Sequence, residues 1–247
     1  MENALLISLT RQMALKRQMS VVANNLANVN TAGFKADSTH FTEYLMPVAR
    51  MTDQKGPDRI LSYVNDTGLV RDFTQGSMEK TDKDLHVAIS GDGWLVVQTP
   101  DGERYTRNGE LTLDPEGQIV TNEGLPVLGN GGPITIGLNE TGIEIARDGT
   151  ISTDAGLKGA LRIVKFADNS QLKKEGASLY ASAQEPEDAP DVQILQGMIE
   201  KSNVKAISQL TTMIETVRAY TSVSHTLRRM QQLRQDAIER LAGVRNA

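Results

Sequence analysis

Side chains able to do chemistry are few in this chain, and they fall at spacings that serve no familiar reaction. The three histidines, His40, His86 and His225, are expected in an irregular arm, a strand and a helix. They have neither the spacing of a metal site nor a nucleophile motif beside them. The absence of cysteine removes disulfides, thiolate metal sites and a thiol nucleophile together. Gly91-x-Gly93 runs into a strand-like segment rather than a helix, so it lacks the setting of a phosphate or dinucleotide loop. The Asp-Gly pairs do not repeat the alternating carboxylates of a calcium loop and read as turns. Glycoside hydrolysis needs two particular carboxylates, and nothing singles out two of them. No catalytic, cofactor-binding or metal-ligating residue is assigned, and the preferred reading is a protein that is not an enzyme.

Long amphipathic segments stand where a site would. From Ser202 to about Val244 apolar residues recur at Ile207, Leu210, Ile214, Val217, Tyr220, Val223, Leu227, Met230, Ala237, Leu241 and Val244. These are helical steps of three and four, broken by Arg234, with a short step from Val217 to Tyr220. Ser202 stands where an N-cap is expected. At about 1.5 Å per residue this helix runs on the order of 60 Å, against an expected radius of gyration of about 18 Å. Its seam therefore requires a long partner. The stretch from Asn3 to about Ala27 supplies one, free of Gly and Pro and striped by Leu5, Leu6, Leu9, Met13, Leu15, Met19, Val22 and Leu26. The two are expected to pair as a coiled coil that joins the chain ends. The longer helix exceeds the shorter by roughly 20 Å at the same rise, and that excess calls for other chains.

Charge follows the same division. Residues 1–30 carry +2, residues 31–200 carry −12 and residues 201–247 carry +5, within a net −5. A basic helix can serve nucleic acid or a membrane surface, but here the arginines are spread round the helix with few aromatics, which favours a solvated or intersubunit face. No nucleic-acid partner is expected, and no membrane insertion, because no apolar run approaches the length of a span. Met1-Glu2-Asn3-Ala4-Leu5-Leu6-Ile7 also lacks the basic region and cleavage site of a secretory signal.

Between the helices the composition changes. Seventeen of the 21 glycines lie between Gly56 and Gly159, and short β-rich runs alternate with turns such as Thr99-Pro100-Asp101-Gly102 and Asp114-Pro115-Glu116-Gly117. Strands are predicted at 85–90, 94–98, 103–107, 110–113, 118–121, 133–136, 143–146, 161–166 and 179–181. The expected organisation is an N-terminal helix and signature (1–35), an irregular connecting arm (36–84), a Gly-rich all-β domain (85–183), a linker (184–201) and a C-terminal helix (202–247). The fold class is α+β.

One stretch goes beyond pattern. Ala23-Asn24-Asn25-Leu26-Ala27-Asn28-Val29-Asn30-Thr31-Ala32-Gly33-Phe34-Lys35 reads locally as an Asn-rich helix end, since Asn side chains compete for backbone hydrogen bonds. Its wording resembles the bacterial flagellar rod and hook family, in which an Asn-Asn-Leu/Ile-Ala-Asn-x-Asn-Thr-x-Gly-Phe-Lys run closes the N-terminal helix. Gly91-Asp92-Gly93-Trp94-Leu95-Val96-Val97 with Tyr105-Thr106-Arg107-Asn108-Gly109 is similar to that family's core β motif, with Trp94 where Phe is usual. Gly197-Met198-Ile199-Glu200-Lys201-Ser202-Asn203-Val204, leading into 213–220, resembles its C-terminal signature.

The resemblance implies that Asn24, Asn25, Asn28, Asn30, Thr31, Gly33, Phe34 and Lys35 end the helix and make axial subunit contacts. It places Ser202, Asn203, Val204 and Tyr220 in the C-terminal signature, with Leu227 and Met230 on the assembly seam. Phe41 and Leu45 of Phe41-Thr42-Glu43-Tyr44-Leu45 also look like the Phe-x-x-x-hydrophobic export signal of early flagellar substrates, a local hydrophobic contact being the other reading. Within the family the chain is most similar to the proximal-rod members, with the distal-rod members as rival. The function implied is a structural subunit that polymerises with copies of itself and other rod proteins into an axial tube crossing the periplasm. That tube carries torque from motor to hook, and its subunits leave by the flagellar type III export apparatus without a cleavable signal. A periplasmic cell-wall enzyme and an adaptor of the export apparatus are the readings from other classes.

Overall fold

The computed structural model describes residues 2–47, 60–137, 139–176 and 178–244. Its contacts divide the chain into two units, one formed by Met1–Leu26, Asp37–Val70 and Ala206–Ala247, the other by Ala27–Ala36 and Arg71–Lys205. The expected segments 1–35 and 36–84 are thus each shared between units.

The first unit holds the two long helices, α1 (Glu2–Ala27) and α2 (Ala206–Val244), of 26 and 39 residues. Leu5, Leu6, Leu9 and Gln12 of α1 line one groove with Ser224, Leu227, Arg228 and Gln231 of α2. Near the other end of α1, Asn25 Nδ2 donates to Gln209 Oε1 at 3.4 Å. The start of α1 thus meets the second half of α2, and its end meets the beginning of α2, so the helices run antiparallel.

The face that α2 presents inward differs from the expected seam. Val223 and Thr216 are buried and Tyr220, Leu227 and Met230 half-buried, whereas Ile207, Leu210, Ile214 and Val217 are exposed, Ile207 by 83%. The physical reason is a phase drift. Each three-residue step falls about 60° short of a full turn and each four-residue step overshoots by about 40°. From Ile207 to Val223 the steps are three, four, three, three and three, which winds the apolar stripe about 200° round the helix. One partner helix cannot cover it. Ala237 is exposed, and the side chains of Leu241 and Val244 lie outside the described residues. The N-cap assignment also needs correction: α2 begins at Ala206, and Ser202 Oγ instead accepts from the Val204 amide at 3.2 Å, a local turn.

The remaining part of this unit is a two-stranded sheet of Asp37–Pro47 with Ile60–Arg71, in which Ser38 Oγ donates to the Val70 carbonyl at 3.0 Å. The arm is therefore more regular than the Gly and Pro punctuation suggests. Gly56 and Pro57 lie outside the described residues.

The second unit is β-rich. Its largest sheet has six antiparallel strands in the order Lys173–Glu175, Leu179–Ala181, Gly102–Thr106, Trp94–Thr99, Ile163–Lys165 and Glu187–Asp188. Trp94-Leu95-Val96-Val97 has no polar alternation because both its faces are covered. Leu95 and Val97 enter a cluster with Val87, Ile119, Val127, Ile151 and Ile194, while Trp94 and Val96 enter another with Tyr105, Val164, Phe166 and Tyr180. Thr150–Thr153 and Gly156–Ala160 add strands that the turn-rich sequence does not announce.

The stretch 184–201 is not a linker. Gln193–Gln196 pairs with Val87–Ser90, and Met198–Glu200 pairs with Met78–Lys80. These strands are short and carry Gln and Glu at paired positions, so their strand character comes from the sheet edges that receive them rather than from local propensity.

Candidate functional site: a buried charge hub between the two signatures

The Asn-rich signature leaves α1 through local turns. The Thr31 amide donates to the Asn28 carbonyl at 3.2 Å, the Phe34 amide to the Thr31 carbonyl at 3.3 Å, and Thr31 Oγ1 to Asn28 Oδ1 at 3.1 Å. Gly33 adopts φ +67°, and a Cβ there would lie 2.3 Å from the Arg107 carbonyl carbon, so both backbone conformation and space demand glycine. The turn drives Phe34 into the interior at 0% exposure, where the Lys174 ammonium stands 3.8 Å from its ring centroid.

Lys35 follows Phe34 inward and is equally buried. Its Nζ donates to the Thr74 carbonyl at 2.8 Å and to Glu200 Oε1 at 2.6 Å. The same carboxylate accepts the Gly76 amide at 2.9 Å and, through Oε2, Arg107 Nη1 at 3.2 Å. Arg107 Nη2 donates to the Gly91 carbonyl at 2.7 Å, and the guanidinium carbon lies 5.4 Å from the centroid of the Trp94 ring. One carboxylate, 1% exposed, therefore stands between two buried cations. Burial pulls the Lys35 pKa below its ordinary value. The Glu200 charge and hydrogen bond oppose that shift, and Arg107 adds to it.

Asn203 closes the hub on its outer side. Its Oδ1 accepts the Ala36 amide at 2.8 Å, its Nδ2 donates to the Asp72 and Thr74 carbonyls at 2.8 and 3.1 Å, and its amide donates to the Phe34 carbonyl at 3.4 Å. Asp72 Oδ1 in turn accepts the Thr74 amide at 2.9 Å, and this bond lowers the Asp72 pKa. Gly76 admits the chain beside it, since a Cβ there would fall 1.9 Å from the Lys201 carbonyl oxygen.

In the helical unit Asn25 does similar work. Its side-chain amide donates to the Asp37 carbonyl at 2.7 Å and accepts the Asp37 amide at 3.0 Å, taking the part of a neighbouring strand.

The sequence-derived residues are thus sorted by the fold. Gly33, Phe34, Lys35, Asn203 and the buried Val204 lie in one unit, Gly33 to Asn203 in direct contact with the hub residues. Asn24 and Asn30 are exposed, and Asn28 and Thr31 shape the turn. Tyr220, Leu227 and Met230 lie on α2 in the other unit, as does Phe41, half-buried in its strand. The side chain of Leu45 is outside the described residues.

Glu200 and Arg107 stand inside the quoted motifs but received no role from sequence. The available signal was that each is the one acid or the one base of its kind within its quoted motif. Every polar group of the hub is engaged by the protein except Arg107 Nε, so the arrangement fastens segments together and offers no reacting atom. Among the described residues no three His, Asp or Glu side chains stand close enough to hold a metal, and no helix is long and apolar enough to cross a membrane.

Three family models match the chain. They are "Flagella basal body rod protein" over residues 5–35, "Flagellar hook protein FlgE/F/G D1 domain" over residues 88–153, and "Flagellar basal body rod FlgEFG protein C-terminal" over residues 195–240. The matched ranges contain both signatures and Arg107. Among curated relatives, the flagellar basal-body rod protein FlgF of Caulobacter vibrioides is 42% identical over 99% of this chain and 100% of its own length. The flagellar basal-body rod protein FlgF of Salmonella typhimurium is 35% identical over 89% and 90%. A flagellar basal-body rod protein FlgG of Buchnera aphidicola is 37% identical over 94% and 97%.

Proposed function

The chain belongs to the flagellar basal-body rod protein family, a family of structural subunits, and from that premise we propose that it is a subunit of the proximal rod. It polymerises with copies of itself and with other rod proteins into the axial tube that carries torque from the motor to the hook. The observation that carries this reading is the pair of half-covered helices. Leu6, Leu9 and Met13 on α1 and Ile207, Leu210, Ile214 and Val217 on α2 remain 39–83% exposed, although the β-rich unit closes its own core. An apolar stripe wound round a helix is what a subunit needs to meet several neighbours at once. Pairing of α1 with α2 then takes coiled-coil form in the assembled tube, where neighbours constrain both helices. The match to FlgF proteins over nearly the full length favours the proximal position; the distal rod is the second reading, favoured by the similarity to a FlgG protein. Delivery by the flagellar type III export apparatus, with Phe41 and Leu45 as its recognition motif, completes the proposal.

The test is a chain with Leu227→Asp and Met230→Asp. Incorporation into purified basal bodies and motility should both be lost, while the Trp94 fluorescence midpoint in urea stays unchanged. Normal motility would contradict the assignment of α2 to assembly.

A further inference from the structure

Each residue from Gly33 to Ala36, at the end of the N-terminal signature, has a polar partner in one short stretch near the other end of the chain. Gly33 N–H reaches the Glu200 carbonyl at 2.8 Å, Lys35 Nζ the Glu200 carboxylate, Ala36 N–H the Asn203 side chain, and the Phe34 carbonyl the Asn203 amide. Lys35 and Glu200 are 165 positions apart. Among the described residues of 36–199, Arg107 adds a second buried cation to the hub, and no carboxylate of that stretch forms an ion pair with Lys35. Asp92, 3.9 Å from Arg107 Nη2, and Asp72, whose charge acts on Lys35, are both exposed and stay solvated.

We propose that Glu200 is a conformational lock: the N-terminal signature cannot take its buried place until the Met198–Glu200 strand has docked, because among the described residues Glu200 alone pairs with both Lys35 and Arg107. Before that, burying Lys35 would put a second unpaired cation beside Arg107 in a dry interior, which is far costlier than leaving the signature in water. A chain made N-terminus first therefore holds its signature loose until residues 198–203 have appeared. The order of events is written in charge balance, and it concerns folding rather than the contacts between subunits.

Amide hydrogen exchange on the full chain reads this out at Ala36, whose bond goes to Asn203 and not to Glu200. Glu200→Gln should speed exchange at Ala36 on the order of a hundredfold or more, while Val97 and Tyr105 in the central strands keep their protection. Adding Lys35→Met to that variant removes one of the two uncompensated cations and should restore at least about tenfold of the protection, since a buried pair replaced by apolar groups is tolerated where a broken pair is not. Unchanged exchange at Ala36 in Glu200→Gln would overturn the proposal. So would a double variant that exchanges as fast as Glu200→Gln alone, which would make shape rather than charge the cause. If Glu200→Gln unfolds the whole β-rich unit, the comparison moves to urea stability. A Lys35→Met/Glu200→Gln chain no more stable than Glu200→Gln would then overturn it equally.

Discussion

In the unit built from Ala27–Ala36 and Arg71–Lys205, Trp94, Leu95, Val96, Val97, Phe34 and Tyr180 are all at or below 1% exposure, and even Lys35 and Glu200 are closed off. In the unit built from the two helices and the two-stranded sheet of Asp37–Pro47 with Ile60–Arg71, residues of the same apolar kind stand in water. The difference does not lie in composition, since Leu, Ile, Val and Met serve both. It lies in geometry. A strand covered on both faces uses every apolar side chain it has, whereas a single helix against a single helix covers only one stripe, and α2 winds its apolar residues away from that stripe. The β-rich unit completes its interior alone; the helical unit leaves apolar surface uncovered. Asn25 marks the limit of that rule, because a buried hydrogen-bonded side chain fastens the helix end to the strand that begins at Asp37 even in the open unit.

Three measurements would break or sharpen this contrast. The largest effect is expected in the closed unit. Phe34→Ala removes a fully buried ring, empties a site its neighbours cannot fill, and should cost about 3–5 kcal/mol by urea unfolding followed through Trp94. A loss below about 1 kcal/mol would mean that the signature is not part of that interior.

A smaller, pH-dependent loss is expected at His86, which is 8% exposed and has no hydrogen bond at Nδ1. Burial pulls its pKa below the ordinary imidazole value; Lys83 adds to that shift and Glu110 opposes it. The unfolded chain therefore binds the proton first as pH falls. The stability contributed by neutral His86 is complete above about pH 6.5 and is lost progressively as pH drops from there toward the lower folded value. Between pH 7.5 and 5.5 the native chain should lose more stability than His86→Gln; equal losses would place the imidazole in water.

The smallest effect on stability belongs to the open unit. Leu210→Gln with Ile214→Gln alters side chains that are 47% and 52% exposed, so the unfolding midpoint should move by no more than about 0.5 kcal/mol. Incorporation into the rod should nevertheless fail. A large destabilisation would show that these positions are already covered within the chain and would erase the contrast between the units.

Much of this was legible beforehand for local reasons. The helix of Glu2–Ala27 follows from a stretch free of Gly and Pro with an apolar stripe at helical spacing, and the strands at Trp94–Thr99, Gly102–Thr106 and Leu179–Ala181 follow from β-branched and aromatic residues bounded by turn residues. The signature wording singles out Gly33, Phe34 and Asn203, but not the partners they meet inside the β-rich unit. The strands at Gln193–Gln196 and Met198–Glu200 were not legible, because Gln and Glu acquire strand geometry only from an edge already waiting for them. Ser202 was misplaced as a cap for a related reason: its hydroxyl had a nearer local partner in the Val204 amide.

The sequence by itself determined what depends on neighbours a few residues apart: two long helices, turns at fixed Gly and Pro positions, an acidic middle between basic ends, and the wording of three motifs. Tertiary structure decided everything that depends on distance along the chain. It chose which side of α2 faces α1, it turned an apparent linker into three strands, and it brought Lys35, Arg107 and Glu200 to one point. That last meeting could not be read from local pattern, because a buried charge is tolerated only beside its counter-charge, and here the counter-charge lies 165 residues away.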